Sequence, residues 1–363
     1  MYKILGENKM IINKNNLNYH EKQNIELTLK LRELMTRLPD FAKDFFRGIE
    51  PKTSAKTRVS YAYDLRIFFD FLLKNNPVYK NKCVKDIGID ALDNIKALDI
   101  EEYLEYLKLH EDDKNNYVTN SQSGIKRKLS SLRSFYSYFF KRELIKTNPT
   151  LLVDMPKLYE KAIIRLDNEE ISELLEYIEN CGKDLKGQKK LYYEKTKLRD
   201  LSMIALMLGT GIRVSECVGL DINDVNFKEN GIKITRKGGN EMIVYFGEDV
   251  ADILSDYIEE RIKVTALSGY ENALFLSTQR KRINVRTVEN MVKKYTSAIT
   301  PNKKITPHKL RSSYGTALYR ETGDIYLVAD VLGHKDVNTT RKHYAAIDEN
   351  RRKSAADFVK LKK

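Results

Sequence analysis

Ile305-Thr306-Pro307-His308-Lys309-Leu310-Arg311 opens a stretch that runs through an apolar helical segment to Leu332-Gly333-His334 and ends at Arg341-Lys342-His343-Tyr344. It holds three of the chain's five histidines. Thr306-Pro307 reads as a helix start, with threonine at the cap and proline at the first helical position, where a backbone N–H is not needed. His308 and Arg311 then fall three residues apart on one face of the first turns, at a helix end that is itself electropositive. Gly333 ends the next helix, 325–332, and places His334 in a tight turn. Arginine, histidine and a downstream tyrosine without a metal-ligand pattern suggest a reaction on a phosphate in which the protein supplies every charge. Each part alone has a plainer reading: a surface His–Arg pair, a capped helix, one tyrosine among 22.

Upstream, residues 198–208 are strongly apolar and end at Gly209-Thr210-Gly211. Arg213 restarts a helix, 213–218, with Glu216 one turn on to orient the guanidinium; alone this is an ordinary i,i+3 ion pair. The clear β signal is 231–246. Ile232 and Ile234 alternate with polar neighbours, Lys237-Gly238-Gly239-Asn240 makes a turn, and 242–246 returns. Lys237 stands in that turn, where a lysine commonly protects a sheet edge. Residues 249–264 and 285–298 read as helices and 273–276 as a short buried strand or loop. Asp167 caps a helix over 167–178, with Glu170 at the capping-box position. Residues 182–197 read as a charged, polar insertion.

Residues 1–36 read as a polar extension with one helix, 21–35. Ser54 then caps an amphipathic helix with Tyr61, Leu65, Phe68, Phe69 and Leu72 as its apolar stripe. A second helix, 121–140, has Ile125, Leu129, Leu132, Tyr136 and Phe139. Lys56, Arg58 and Arg66 lie off the first stripe, and Lys126, Arg127, Lys128 and Arg133 lie off the second. Basic residues interleaved with serines suit approach to phosphates and equally suit a solvated face.

A chain of 363 residues suggests two domains with a core in each. Hydrophobic content of 42% and charged content of 32% describe a globular protein rather than a disordered one. The formal net charge of +13 fits a polyanionic partner, of which nucleic acid is the commonest; solubility or an AT-rich genome would also produce it. Cys83, Cys181 and Cys217 are scattered, which excludes a disulfide framework and a zinc knuckle and fits a reducing compartment. Residues 1–16 read as polar and Asn/Lys-rich rather than as an apolar leader, and no run approaches the roughly 20 residues that span a bilayer. A cytoplasmic protein without a membrane partner is expected.

In chain order, Arg213, Lys237, His308, Arg311, His334 and Tyr344, with Thr-Gly-Ile-Arg, His-x-x-Arg and Leu-Gly-His as local signatures, resemble the tyrosine recombinase (phage-integrase) family over nearly the whole chain. The two-domain layout without an arm-binding domain looks most like the Xer-type members that resolve chromosomes; phage and transposon integrases are the alternative. The resemblance implies a mainly α fold: a helical core DNA-binding domain over 37–155, a linker over 156–165, and a mixed α+β catalytic domain over 166–347 with a small antiparallel sheet. The tail 348–363, with Ala355, Ala356, Phe358, Val359 and Leu361, would dock on a neighbouring subunit or pack in cis.

The resemblance further implies that Tyr344 attacks a DNA phosphodiester and forms a 3′-phosphotyrosyl bond, which stores the bond energy for religation. Arg213 and Arg311 would hold the non-bridging oxygens, Lys237 would protonate the leaving 5′ oxygen, and His308 and His334 would assist, with Glu216 orienting Arg213. No cofactor or metal is implied. The implied partners are duplex DNA bearing a specific recombination site, a homo-tetramer on synapsed DNA, and a DNA translocase. Tyr344 stands ten residues after His334, one more than in many relatives. A type IB topoisomerase would share the chemistry, and a non-catalytic DNA-binding protein would share the scaffold.

Overall fold

The computed structural model describes residues 17–112, 115–158, 164–236, 239–333 and 337. Backbone N–H groups left over at helix starts decide where the first elements begin. Asn18 and Glu21 cap each other's N–H groups at 2.8 and 2.9 Å, and α1 runs Tyr19–Met35. α2 follows at Ala42–Ile49. Ser54 Oγ accepts from the Thr57 N–H at 3.2 Å and opens α3, Ala55–Asn75. The short α4 (Ala91–Asn94) and α5 (Ala97–Lys108) lead to an antiparallel pair, β1 (His110–Glu111) and β2 (Tyr117–Val118). α6, Gln122–Phe140, has Ser121 as its cap. The strand pair departs from an all-helical reading of this region; two residues per strand are too few to show alternation in the sequence.

α3 packs against α1 and α6. Leu65, Phe68, Phe69 and Leu72 are at most 1% exposed and Tyr61 is half-buried, so the expected stripe is the one that faces the core. Phe135 of α6 meets Phe45 of α2 and its own neighbour Phe139 edge-on, each with ring centroids 5.1 Å apart. Such edge-to-face pairs add about 0.5–1.5 kcal/mol each beyond the area they bury.

Cα packing divides the chain into two compact units, Met1–Lys161 and Ala162–Lys363. In the second, Asp167 and Glu170 form the reciprocal cap of α7, Asn168–Asn180. α8 runs Gly187–Thr210 without interruption, so residues 187–197 begin this helix rather than forming a polar insertion. Tyr193 is the reason. It is 3% exposed and donates its hydroxyl to the Ile178 and Glu179 carbonyls at 2.9 and 2.6 Å, anchoring the charged half of α8 to the end of α7. Deeper along α8, Arg199 pairs with Asp200 at 2.6 Å, and Tyr295 donates to the same carboxylate at 3.1 Å.

α9 is Val214–Gly219. A three-stranded antiparallel sheet follows in the order β3 (Val225–Asn226), β4 (Gly231–Thr235), β5 (Glu241–Tyr245). Ile232 pairs with Val244 and Lys233 with Ile243, so Ile232, Ile234 and Val244 face inward together. α10 (Glu248–Ile262), α11 (Val285–Ile299), α12 (Pro307–Thr322) and α13 (Ile325–Leu332) complete the described elements. Residues 273–276 make only isolated bridges, Asp221 with Ala273 and Leu276 with Arg282. The fold is mainly helical with a small antiparallel sheet.

Candidate active site

The site is built around the C-terminal end of α13, where a helix leaves its last carbonyls without partners inside the helix. Four consecutive carbonyls there, Asp330 to Gly333, are met by three guanidinium groups from three other elements. Arg311 of α12 donates through Nη2 to the Leu332 carbonyl and through Nη1 to the Gly211 carbonyl at 2.6 Å. Arg213 reaches the Gly333 carbonyl at 3.4 Å. Arg236, at the end of β4, donates to the Val331 carbonyl at 2.7 Å and the Asp330 carbonyl at 3.4 Å. The negative end of the helix dipole favours cations at this position.

Local sequence explains how each arginine arrives. α8 ends on Gly211 at φ 64°, a left-handed conformation that glycine adopts without strain. A Cβ there would lie 2.4 Å from the Tyr314 ring and 2.9 Å from Leu332, so the turn also needs the space. Two residues later Arg213 caps α9 in extended conformation. The buried Glu216 carboxylate accepts the Arg213 backbone N–H at 2.8 Å and its guanidinium at 2.7 Å. One carboxylate therefore fixes both the backbone and the side chain of Arg213, whose side chain keeps about a third of its surface exposed at 36%. Thr306 and Pro307 start α12 as expected, without a side-chain hydrogen bond from the threonine. His308 is exposed in the first turn, while Arg311, one turn on, is 4% exposed. The i,i+3 spacing puts them near one another along the helix, but only the arginine is turned into the protein.

Arg213, Glu216 and Arg311 thus come together, and His308 lies on the same helix as Arg311. Lys237, His334 and Tyr344, like the tail 348–363, lie outside the described residues. Arg236 was not singled out from the sequence, although its place beside Lys237 was a signal. Burial pushes the Arg236 guanidinium below its usual pKa; nearby Glu216 pulls it back up and nearby Arg213 pushes it further down.

The basic residues of the first unit divide differently from expectation. Lys56 is exposed, Lys126 is half-buried, and the Arg127 side chain is half exposed while pairing with the buried Asp64. Burial pushes the Asp64 carboxyl above its usual pKa, against the Ser131 hydrogen bond and the nearby Arg127 and Lys128 charges. Arg58 and Lys128 do not lie on open faces: each is 7% exposed. Arg58 donates to the Glu50 and Thr53 carbonyls at 3.1 and 2.9 Å and to the Glu50 carboxylate at 3.0 Å. Lys128 donates to Asn120 Oδ1 at 2.7 Å. Arg133 is tied to the Thr150 and Val153 carbonyls at 3.1 and 2.5 Å. These three cations satisfy local carbonyl and amide oxygens, a use of basic residues that stripe counting does not detect.

Comparison with known proteins places the chain in a family. The phage integrase family model matches residues 164–351, and the model of the phage integrase N-terminal SAM-like domain matches residues 43–143. The tyrosine recombinase XerC of Caldanaerobacter subterraneus subsp. tengcongensis is 32% identical over 346 residues, 91% of this chain and 90% of its own. The tyrosine recombinase XerS of Streptococcus uberis is 31% identical over 356 residues, 90% of this chain and 97% of its own. Among solved structures, XerH bound to a palindromic difH substrate superposes with a TM-score of 0.62 at 21% identity, over 84% of this chain and 80% of that one. A lambda integrase dimer on a core site gives 0.57 at 16% identity, over 84% and 94%. At these identities the structural likeness is one of fold. Matched by both family models and by Xer-type relatives along nine-tenths of its length, the chain belongs to the phage integrase family of tyrosine recombinases.

Proposed function

We propose that this protein is a site-specific recombinase that cleaves and rejoins duplex DNA through Tyr344. The tyrosine oxygen attacks the phosphorus, the bond from phosphorus to the 5′ oxygen breaks, and a 3′-phosphotyrosyl bond forms. Lys237 gives its proton to the departing 5′ oxygen. Arg213 and Arg311 hold the non-bridging oxygens, where negative charge grows in the transition state; guanidinium suits this because it stays charged and presents a planar fork of donors. His308 takes the tyrosine proton or hydrogen-bonds the phosphate, and His334 hydrogen-bonds the phosphate. Glu216 orients Arg213. The observation that carries this reading is the meeting of Arg213, its buried carboxylate and Arg311 at the end of α13, immediately before His334 in the chain.

Four protomers on two synapsed sites perform two rounds of strand exchange, with the tail 348–363 as the contact between neighbours. The biological task is resolution of chromosome dimers, supported by the Xer naming of relatives that match nearly end to end. A DNA translocase is the proposed accessory partner. A duplex carrying a nick just beyond the cleavage point traps the intermediate, because the short 5′ fragment diffuses away. The wild type then accumulates a covalent protein–DNA adduct and Tyr344→Phe accumulates none. An adduct from the phenylalanine variant, or none from the wild type, rejects the assignment. Rapid relaxation of a one-site supercoiled plasmid by the monomer would instead indicate a topoisomerase.

A further inference from the structure

Arg236 makes a connection that the proposed chemistry does not use. It is the residue before Lys237. Its backbone N–H donates to the Asn240 carbonyl at 2.8 Å, and its own carbonyl accepts from the Gly239 N–H at 3.0 Å. Arg236 therefore closes the base of the connection in which Lys237 lies. Its side chain leaves the sheet and holds the Val331 and Asp330 carbonyls at the end of α13. α13 has nothing to do with the sheet in sequence: 94 residues separate Arg236 from Asp330.

Gly333 provides the space for this contact. It caps α13 at φ 61°, and a Cβ at that position would stand 1.4 Å from Arg236 Nη1. The guanidinium lies where any other residue's side chain would begin. One side chain thus ties the strand that precedes Lys237 to the helix that precedes His334. The same helix end is held by Arg213 and Arg311, so the hairpin and the two arginines share one reference point.

We propose that Arg236 is a positioning residue: by clamping the β4–β5 hairpin to the α13 C-terminus, it sets the distance from Lys237 to the phosphate held by Arg213 and Arg311. The inference rests on the recombinase reading and deepens it. Arg236 acts through Lys237 and gives no proton itself, since a guanidinium does not lose one near neutral pH. A loosened hairpin leaves phosphate binding and the tyrosine attack in place and removes the timely proton to the 5′ oxygen.

Leaving-group chemistry separates this role from a general structural one. A nicked substrate with sulfur in place of the bridging 5′ oxygen releases a thiolate, which departs without a proton. The comparison uses the full-length wild type, Arg236→Met, Arg236→Lys, Lys237→Ala and the double variant Arg236→Met/Lys237→Ala. On the oxygen substrate, Arg236→Met slows adduct formation by roughly 10²-fold, the scale of a misplaced general acid. On the sulfur substrate it recovers to near the wild-type rate, as Lys237→Ala does. The double variant is no slower than Lys237→Ala alone, because two residues that act as one unit are not additive. Lysine reaches one carbonyl rather than two, so Arg236→Lys gives a smaller defect with the same rescue. A gel shift confirms folding; if the methionine variant fails to bind the site, the lysine variant carries the comparison. An equal loss on both substrates, no loss, or multiplied losses in the double variant would overturn the positioning role. No adduct from the wild type on either substrate would instead remove the recombinase reading beneath it.

Discussion

Arg311 combines a structural role with the chemistry proposed for it. It is 4% exposed, and its two terminal nitrogens hold the Gly211 carbonyl at the end of α8 and the Leu332 carbonyl at the end of α13. A buried carbonyl left without a partner costs about 1–3 kcal/mol. Arg311→Ala strips partners from two of them, so it should lower unfolding stability by about 2 kcal/mol or more as well as abolish adduct formation. Thermal melting read beside adduct yield checks both parts. A variant inactive in cleavage yet melting like the parent would mean that the two carbonyl bonds contribute nothing to the fold. Arg213 is arranged differently: its side chain is partly exposed while Glu216 beneath it is buried. Of the two guanidiniums, Arg213 is the more exposed, and Arg311 also fixes the frame around it.

At the scale of elements, the cap of α13 carries the next prediction. Gly333→Ala puts a methyl group where the Arg236 guanidinium lies and forces an L-residue into a left-handed conformation, which costs roughly 1–2 kcal/mol. The larger effect is on the clamp: with Arg236 displaced, Gly333→Ala should reproduce the Arg236→Met defect on the oxygen substrate and recover on the sulfur substrate. A Gly333→Ala protein that cleaves the oxygen substrate at the wild-type rate would show that the hairpin does not depend on this contact. Boundaries of this kind were legible in the sequence. Ser54, Asp167, Gly211 and Gly333 mark helix ends because cap geometry is chosen by one or two neighbouring residues. The alternation of Ile232 and Ile234 identified the hairpin for the same reason. What stayed hidden depends on distant partners. The charged start of α8 is helical because Tyr193 reaches the end of α7. Arg58 and Lys128 turn inward because oxygen acceptors await them there. Beyond its place beside Lys237, nothing local marks the third arginine at the end of α13, since residues 236 and 330 meet only in the folded chain.

For the whole molecule, net charge overstates the surface that can meet DNA. The excess of 64 lysines and arginines over 51 acids includes cations already bound to the protein's own oxygens: Arg58 and Lys128 in the first unit, Arg199 and Arg261 in the second. A cation buried against a carbonyl releases no counterion when a phosphate arrives, so it should not enter the salt dependence of binding. Exposed Lys56 can. For the folded protein on a duplex with its site, log affinity should fall linearly with log salt. With about six to ten phosphates neutralised, the loss between 50 and 200 mM salt is roughly 10³–10⁵-fold. If Lys56 is one of the contacts, Lys56→Ala lowers the magnitude of the slope by about 1 and leaves the melting temperature unchanged. Arg58→Met does the reverse: it removes the partner of the Glu50 and Thr53 carbonyls, so the first unit melts earlier, while the slope keeps its wild-type value. Fluorescence anisotropy across a salt series, with melting curves for each protein, gives both readings. A reduced slope for Arg58→Met with an unchanged one for Lys56→Ala would show that burial is the wrong guide to which cations face the DNA.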